Sequence, residues 1–90
     1  MLSDRRQRIL YALIEEYVAH ALPVGSQTIA QHYKLGVSSA TIRNELSALE
    51  SDGYITQPHT SAGRIPTDAG YRELVDDILA SEELQQNNPY

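Results

Sequence analysis

The sequence predicts a mainly α (α+β) domain: a three-helix core, a two-stranded hairpin and a closing C-terminal helix. Three observations carry this. Apolar residues recur at helical spacing in four separate stretches. Between the third and the fourth, Tyr and Ile β-formers flank a turn-rich run. Pro, Gly and Ser mark the junctions. Ninety residues of which 41% are apolar suffice for one small core and leave no room for a second. The expected division is a domain over 1–80 and a polar, flexible tail over 81–90.

Taken in order, Ser3 is placed to cap the first helix by accepting an orphan amide. The rows Ile9-Leu13-Tyr17 and Leu10-Ile14-Val18 make that helix amphipathic, and Pro23 and Gly25 stop it. Val24 between them suits one short extended pairing. Ser26 is expected to cap a short second helix bearing Ile29, Ala30 and Tyr33, ended by Gly36 at positive φ. Ser38 caps a third helix whose inner stripe is Ile42, Leu46 and Leu49, with Gly53 just past its end. Tyr54 to Gln57 reads as a strand, Pro58 to Gly63 as a tip, and Arg64 to Pro66 as the returning strand. Thr67 caps a last helix, with Asp68 in its first turn. Its expected buried side is Tyr71, Leu74, Val75 and Ile78, packed back on the first helix. Two helices joined by a tight glycine turn form a helix-turn-helix. With the hairpin added, the arrangement is a winged helix-turn-helix.

Composition narrows the function. The absence of cysteine excludes disulfides, thiolate nucleophiles and thiolate metal sites. No apolar run approaches the ~18 residues of a membrane span, and the opening Met-Leu-Ser-Asp-Arg-Arg is too polar for a signal peptide, so a cytoplasmic protein without membrane contact is expected. The net charge of −5 resides in the tail. Residues 73–90 hold Glu73, Asp76, Asp77, Glu82 and Glu83 and no base, whereas the preceding residues balance. An acidic total therefore neither supports nor excludes a nucleic-acid partner. His20, His32 and His59 lack metal-ligand spacing and read as surface or boundary residues. Glu15-Glu16 reads as a solvated helix edge, and no phosphate-binding glycine loop follows a strand. No metal, cofactor or enzymatic activity is expected, and a small hydrolase has almost no residue support.

The third helix carries the chemistry. With Ile42, Leu46 and Leu49 inward, Ser39, Ala40, Arg43, Asn44 and Ser47 face outward, and Thr41 lies at the boundary. Arg grips guanine O6 and N7, and Asn grips adenine N6 and N7, through paired bonds. Small Ser and Ala neighbours allow close approach to a major groove. Ser38, Ser39 and Thr41 suit backbone positioning. The acid-free tip, His59, Thr60, Ser61 and Gly63 with Arg64 beside it, suits a sugar-phosphate edge or the minor groove. Arg5, Arg6 and Arg8 read either as backbone contacts or as a solvated basic helix end. The same residues also allow an ordinary polar surface. A different class of function is a winged helix that binds protein rather than DNA, meeting its partner on the Tyr71-Leu74-Ile78 side.

Pro23-Val24-Gly25-Ser26, the run Leu35 to Asn44, and Gln57 to Thr67 (QPHTSAGRIPT) followed by Gly70-Tyr71-Arg72 closely resemble the N-terminal DNA-binding domain of the heat-inducible transcription repressor HrcA family. The resemblance runs from Leu2 to Ile78. It implies a bacterial repressor of heat-shock chaperone genes that binds the inverted-repeat operator CIRCE as a homodimer, with the chaperonin GroEL keeping it active. It makes Ser39 to Ser47 the recognition helix and His59 to Arg64 the wing. Family proteins are several times longer, and their downstream region supplies dimerisation and the heat response.

Overall fold

A computed structural model describes residues 2–58 and 62–86. The elements are α1 (Asp4–His20), α2 (Ser26–His32), α3 (Ser39–Ser51), β1 (Ile55–Thr56), β2 (Ile65–Pro66) and α4 (Asp68–Gln86). The strands pair antiparallel, Ile55 opposite Pro66 and Thr56 opposite Ile65. Val24 adds a bridge to Arg64 on the outer side of β2, which is the short pairing its position between Pro23 and Gly25 suggested. This is the winged helix-turn-helix order.

Local chemistry explains most of the boundaries. Ser3 Oγ accepts the Arg6 amide at 3.2 Å and Ser38 Oγ the Thr41 amide at 3.2 Å. Thr67 joins two elements: its hydroxyl donates to the Gly53 carbonyl at 2.6 Å and accepts the Gly70 amide at 3.3 Å. Gly53, at φ +87°, supplies the left-handed turn that sends the chain from α3 into the hairpin. α1 ends at His20, ahead of Pro23 as expected, and its cap Ala21 adopts φ 55° and donates its amide to the Tyr17 carbonyl. Two junctions differ from expectation. Ser26 is the first residue of α2 and not its cap; Gly25 holds that position, without a side-chain bond. α2 closes at Tyr33, so Gly36 (φ +75°) serves the turn into α3 rather than the helix end.

The core is a layer of α1, α2 and α3 closed at one edge by the hairpin. Ile9, Leu10, Leu13 and Ile14 of α1 meet Ile29 of α2, Ile42, Leu46 and Leu49 of α3, and Val24 and Ile55. Each large aliphatic side chain removed from water contributes about 1.5–3 kcal/mol. The Arg6–Glu45 pair between α1 and α3, at 3.3 Å and partly exposed, contributes about 0–1 kcal/mol. The apolar row therefore sets where α3 sits, and the ion pair only trims its orientation. Once these elements fill the core, little remains for α4 to cover. Tyr71 and Leu74 pack on it, and the Tyr11 hydroxyl donates to the Glu73 carbonyl at 3.4 Å. Val75 and Ile78, expected inside, are instead half exposed, as is Leu79; Val18 on α1 is 68% exposed. α4 continues to Gln86, through the first residues of the segment read as tail.

Glu16 also departs from its sequence reading. It is 7% exposed rather than solvated. Its Oε1 lies 2.9 Å from His32 Nδ1 and 3.4 Å from His20 Nε2, and its Oε2 accepts the Tyr33 hydroxyl at 3.2 Å. One carboxylate thus ties α2 and its C-cap to α1, and two of the histidines have a partner. Burial, with the nearby Glu15 charge and the bond to Glu16, pushes the Tyr33 phenol up to about 12. Burial beside Asp77 and Glu73 does the same to Tyr11. Both shifts favour the protonated phenol in the folded state. Their stabilisation is complete below the ordinary phenol value of 10.0 and is lost as pH rises through about 12.

Two outcomes follow. The melting temperature should fall across that alkaline window, and Tyr11→Phe/Tyr33→Phe should flatten the fall while costing about 1 kcal/mol per lost hydrogen bond at neutral pH, as read by thermal melts at several pH values. Gly70→Ala places a methyl against the Tyr54 carbonyl, whereas a methyl at Gly25 meets nothing within 4 Å. Denaturant titration should show a loss of about 1–3 kcal/mol for the first and a smaller loss, that of a poorer N-cap residue, for the second.

Candidate nucleic-acid interface

α3 turns Ala40, Arg43, Asn44, Ser47 and Ser51 to solvent while Ile42, Leu46 and Leu49 are buried. The exposed set recurs at three- and four-residue steps, so it forms one stripe along the helix. Ser39 and Thr41 are half-buried at its edge. Ser38 Oγ also donates to Thr41 Oγ1 at 3.2 Å, so both hydroxyls take part in the cap. The carboxylates of α3 are directed away from the stripe: Glu45 meets Arg6 at 3.3 Å and Glu50 meets Arg64 at 2.6 Å. Arg43 forms no hydrogen bond or ion pair with another described residue. It is the only charge on the stripe.

Beside Arg43 opens a cleft of ≈ 450 Å³. One wall is the start of α2, with Pro23, Gly25, Ser26, Gln27 and Thr28, and the other is the wing stem, Ala62 and Gly63. No acid lines it. A smaller pocket of ≈ 120 Å³ continues beneath, reaching Leu46 and Arg64. The hydroxyls and amide of Ser26 to Thr28 are of the kind that bonds phosphate oxygens. Sequence reading assigned Ser26 to a cap and gave this segment no part in the site. Only the third dimension brings it opposite the wing.

The wing stem is held from several sides. The Arg64 amide and carbonyl both pair with Val24 at 2.8 Å. A Cβ on Gly63 would come within 2.9 Å of Pro23 and Val24 backbone atoms, so glycine alone permits this approach. Arg64 Nε donates to Glu50 Oε1 at 2.6 Å and Nη1 to the Ala62 carbonyl at 2.8 Å. The guanidinium expected to face a phosphate is therefore already engaged within the protein. Glu50 was not singled out from the sequence, because nothing in local spacing links it to a residue across the hairpin. His59, Thr60 and Ser61, the tip read as a backbone contact, lie outside the described residues. Of the basic residues at the start of α1, Arg6 is tied to Glu45, and Arg8 lies 3.8 Å from Asp4. Among the described residues no group of His, Asp and Glu is disposed to hold a metal ion, and no helix is long and apolar enough to cross a membrane.

Known proteins resemble the chain over this whole arrangement. A family profile described as winged helix-turn-helix transcription repressor, HrcA DNA-binding, matches residues 1–79. The heat-inducible transcription repressor HrcA of Pelotomaculum thermopropionicum is 59% identical over 85 residues, which are 94% of this chain and 24% of that protein. The HrcA of Caldanaerobacter subterraneus subsp. tengcongensis is 60% identical over 88 residues, 98% of this chain and 26% of its own. A crystal structure described only as that of a hypothetical protein superposes with a TM-score of 0.83 at 48% identity, covering 88% of this chain and 25% of that one. The chain spans about a quarter of the length of these curated relatives. With its helix-turn-helix, its wing and this match over nearly all its residues, the chain belongs to the HrcA family of heat-inducible transcription repressors, as a winged helix-turn-helix DNA-binding domain.

Proposed function

We propose that the chain reads an inverted-repeat operator of the CIRCE kind ahead of heat-shock chaperone genes and represses them by occupying it. The observation that carries this is the unpaired, exposed Arg43 beside an acid-free cleft, with Asn44 next to it on the same stripe. α3 enters the major groove. Arg43 bonds a guanine edge and Asn44 an adenine edge. Ser38, Ser39 and Thr41 at the start of α3, with Ser26 to Thr28 across the cleft, position one sugar-phosphate strand. His59, Thr60 and Ser61, chosen from their side-chain chemistry in the sequence alone, are taken as further backbone contacts. An inverted repeat calls for a two-fold pair of these domains with their recognition helices about one DNA turn apart. The family resemblance implies that dimerisation, and any dependence on the chaperonin GroEL, rest with the downstream region of the longer family proteins. A DNA target places the protein in the cytoplasm. No step requires a cofactor or a covalent reaction, because occupancy alone blocks transcription.

The protein-binding alternative expects its partner on the Tyr71-Leu74-Ile78 side; Tyr71 and Leu74 pack on the core, and the apolar face that α4 leaves open is Val75, Ile78 and Leu79. It predicts no salt-dependent DNA binding. Anisotropy titration against an inverted-repeat duplex and a scrambled duplex, at two salt concentrations, separates the two readings. The DNA reading expects tighter binding to the repeat and weakening with salt at both duplexes. Arg43→Ala should cost about 1–3 kcal/mol on the repeat and relax discrimination at one base pair. Equal binding of Arg43→Ala and wild type to both duplexes would remove Arg43 from the site.

A further inference from the structure

We infer that Arg64 and Glu50 form a positioning pair that fixes the wing stem against the recognition helix, and that Arg64 therefore acts on DNA through geometry rather than as a phosphate ligand. The inference rests on the DNA reading above and assigns a role within it. Arg64 is the point where three segments meet. Its backbone pairs with Val24 in the α1–α2 connection, its Nε reaches Glu50 on α3, and its Nη1 reaches the Ala62 carbonyl within the wing. The side chain is 22% exposed and that of Glu50 is 35% exposed. At 2.6 Å the contact has the length of a charge-assisted bond. Two of the guanidinium nitrogens are thus occupied by partners that fix its plane. A phosphate reaching the remaining N–H groups would meet a cation that the carboxylate already neutralises.

The pair matters because of where the wing stem lies. Ala62 and Gly63 form the wall of the cleft opposite Gly25 and Ser26, and Arg43 stands beside both. The backbone bridge to Val24, continuous with the β1–β2 pairing, fixes the stem to the α1–α2 connection, one point of attachment to the helical core. The Glu50 bond adds a second point on α3 itself, and with it the width of the cleft is set before DNA arrives. Preorganisation of this kind raises affinity by removing the ordering that binding would otherwise require. It adds no counterion release, since the pair is neutral before and after binding.

That difference supplies the test. The 90-residue chain is titrated with the inverted-repeat duplex over a range of salt, as wild type, Glu50→Gln, Arg64→Ala and the charge swap Glu50→Arg/Arg64→Glu. Native-state hydrogen exchange is followed at the Val24 and Arg64 amides. The expected result is a loss of roughly fivefold in affinity, the worth of one partly exposed ion pair, for Glu50→Gln and Arg64→Ala alike. The slope of log affinity against log salt stays at the wild-type value, exchange at the two amides quickens, and the swap recovers part of the affinity. A defect of lost side-chain packing would not be rescued by exchanging the charges. A slope reduced by about 0.9 in Arg64→Ala, with Glu50→Gln binding as wild type or tighter, would overturn the inference and make Arg64 a phosphate ligand. Unchanged exchange in Glu50→Gln would equally overturn it, whatever the DNA result. A wild type that binds neither duplex would defeat the DNA reading itself; exchange alone would then decide whether the pair holds the wing.

Discussion

The arrangement depends on one short antiparallel contact, the Val24–Arg64 pairing. It joins the α1–α2 connection to the outer side of the hairpin through two backbone hydrogen bonds of 2.8 Å. Without it β1 and β2 would be a two-residue ladder attached to the core mainly through Ile55 and Pro66, and isolated hairpins of that size are marginal in water. With it, the stem of the wing lies across the start of α2. The absence of a side chain at Gly63 is what lets the backbones approach this closely. Pro23, which has no amide to satisfy, and Val24, sealed at 2% exposure, suit the opposite side of that contact. The cleft beside Arg43 exists because these two segments are held face to face.

Charge is distributed around this frame in a consistent way. Carboxylates near α3 are matched to cations that hold elements together: Glu45 to Arg6, Glu50 to Arg64. The exposed stripe is left with the single charge of Arg43. The chain as a whole is acidic, but the acids of α4 lie on a different helix from the reading surface. An overall deficit of positive charge is thus compatible with a locally acid-free face. It also means that few phosphates would be neutralised by one domain, so binding by an isolated copy should respond less steeply to salt than binding by a strongly basic protein.

Much of the fold was legible in the sequence because local rules agreed with one another. Serine caps, left-handed glycines and a change of hydrophobic period located α1, α3, the hairpin and the start of α4. The outward set on α3 followed from the spacing of Ile42, Leu46 and Leu49, which is a property of one helix alone. What escaped were relations between elements distant in sequence. The burial of Glu16 depends on α2 folding over it, although its four-residue spacing from His20 was a signal that could have been read. The engagement of Arg64 by Glu50 depends on the hairpin returning past the end of α3. The exposure of Val75 and Ile78 reflects a core already filled by three helices, which periodicity within α4 cannot reveal. The part played by Ser26 to Thr28 needed the wing to be placed opposite them.

The central claim is that one face, made of the α3 stripe, the start of α2 and the wing stem, meets DNA. It is tested most directly by backbone amide chemical shifts of the labelled domain as the inverted-repeat duplex is added. The account predicts that the shifts concentrate at Ala40 to Ser47, Gly25 to Thr28 and Ala62 to Arg64, with the α4 residues Val75 to Leu79 unmoved. Shifts gathered on α4 with α3 silent would contradict it.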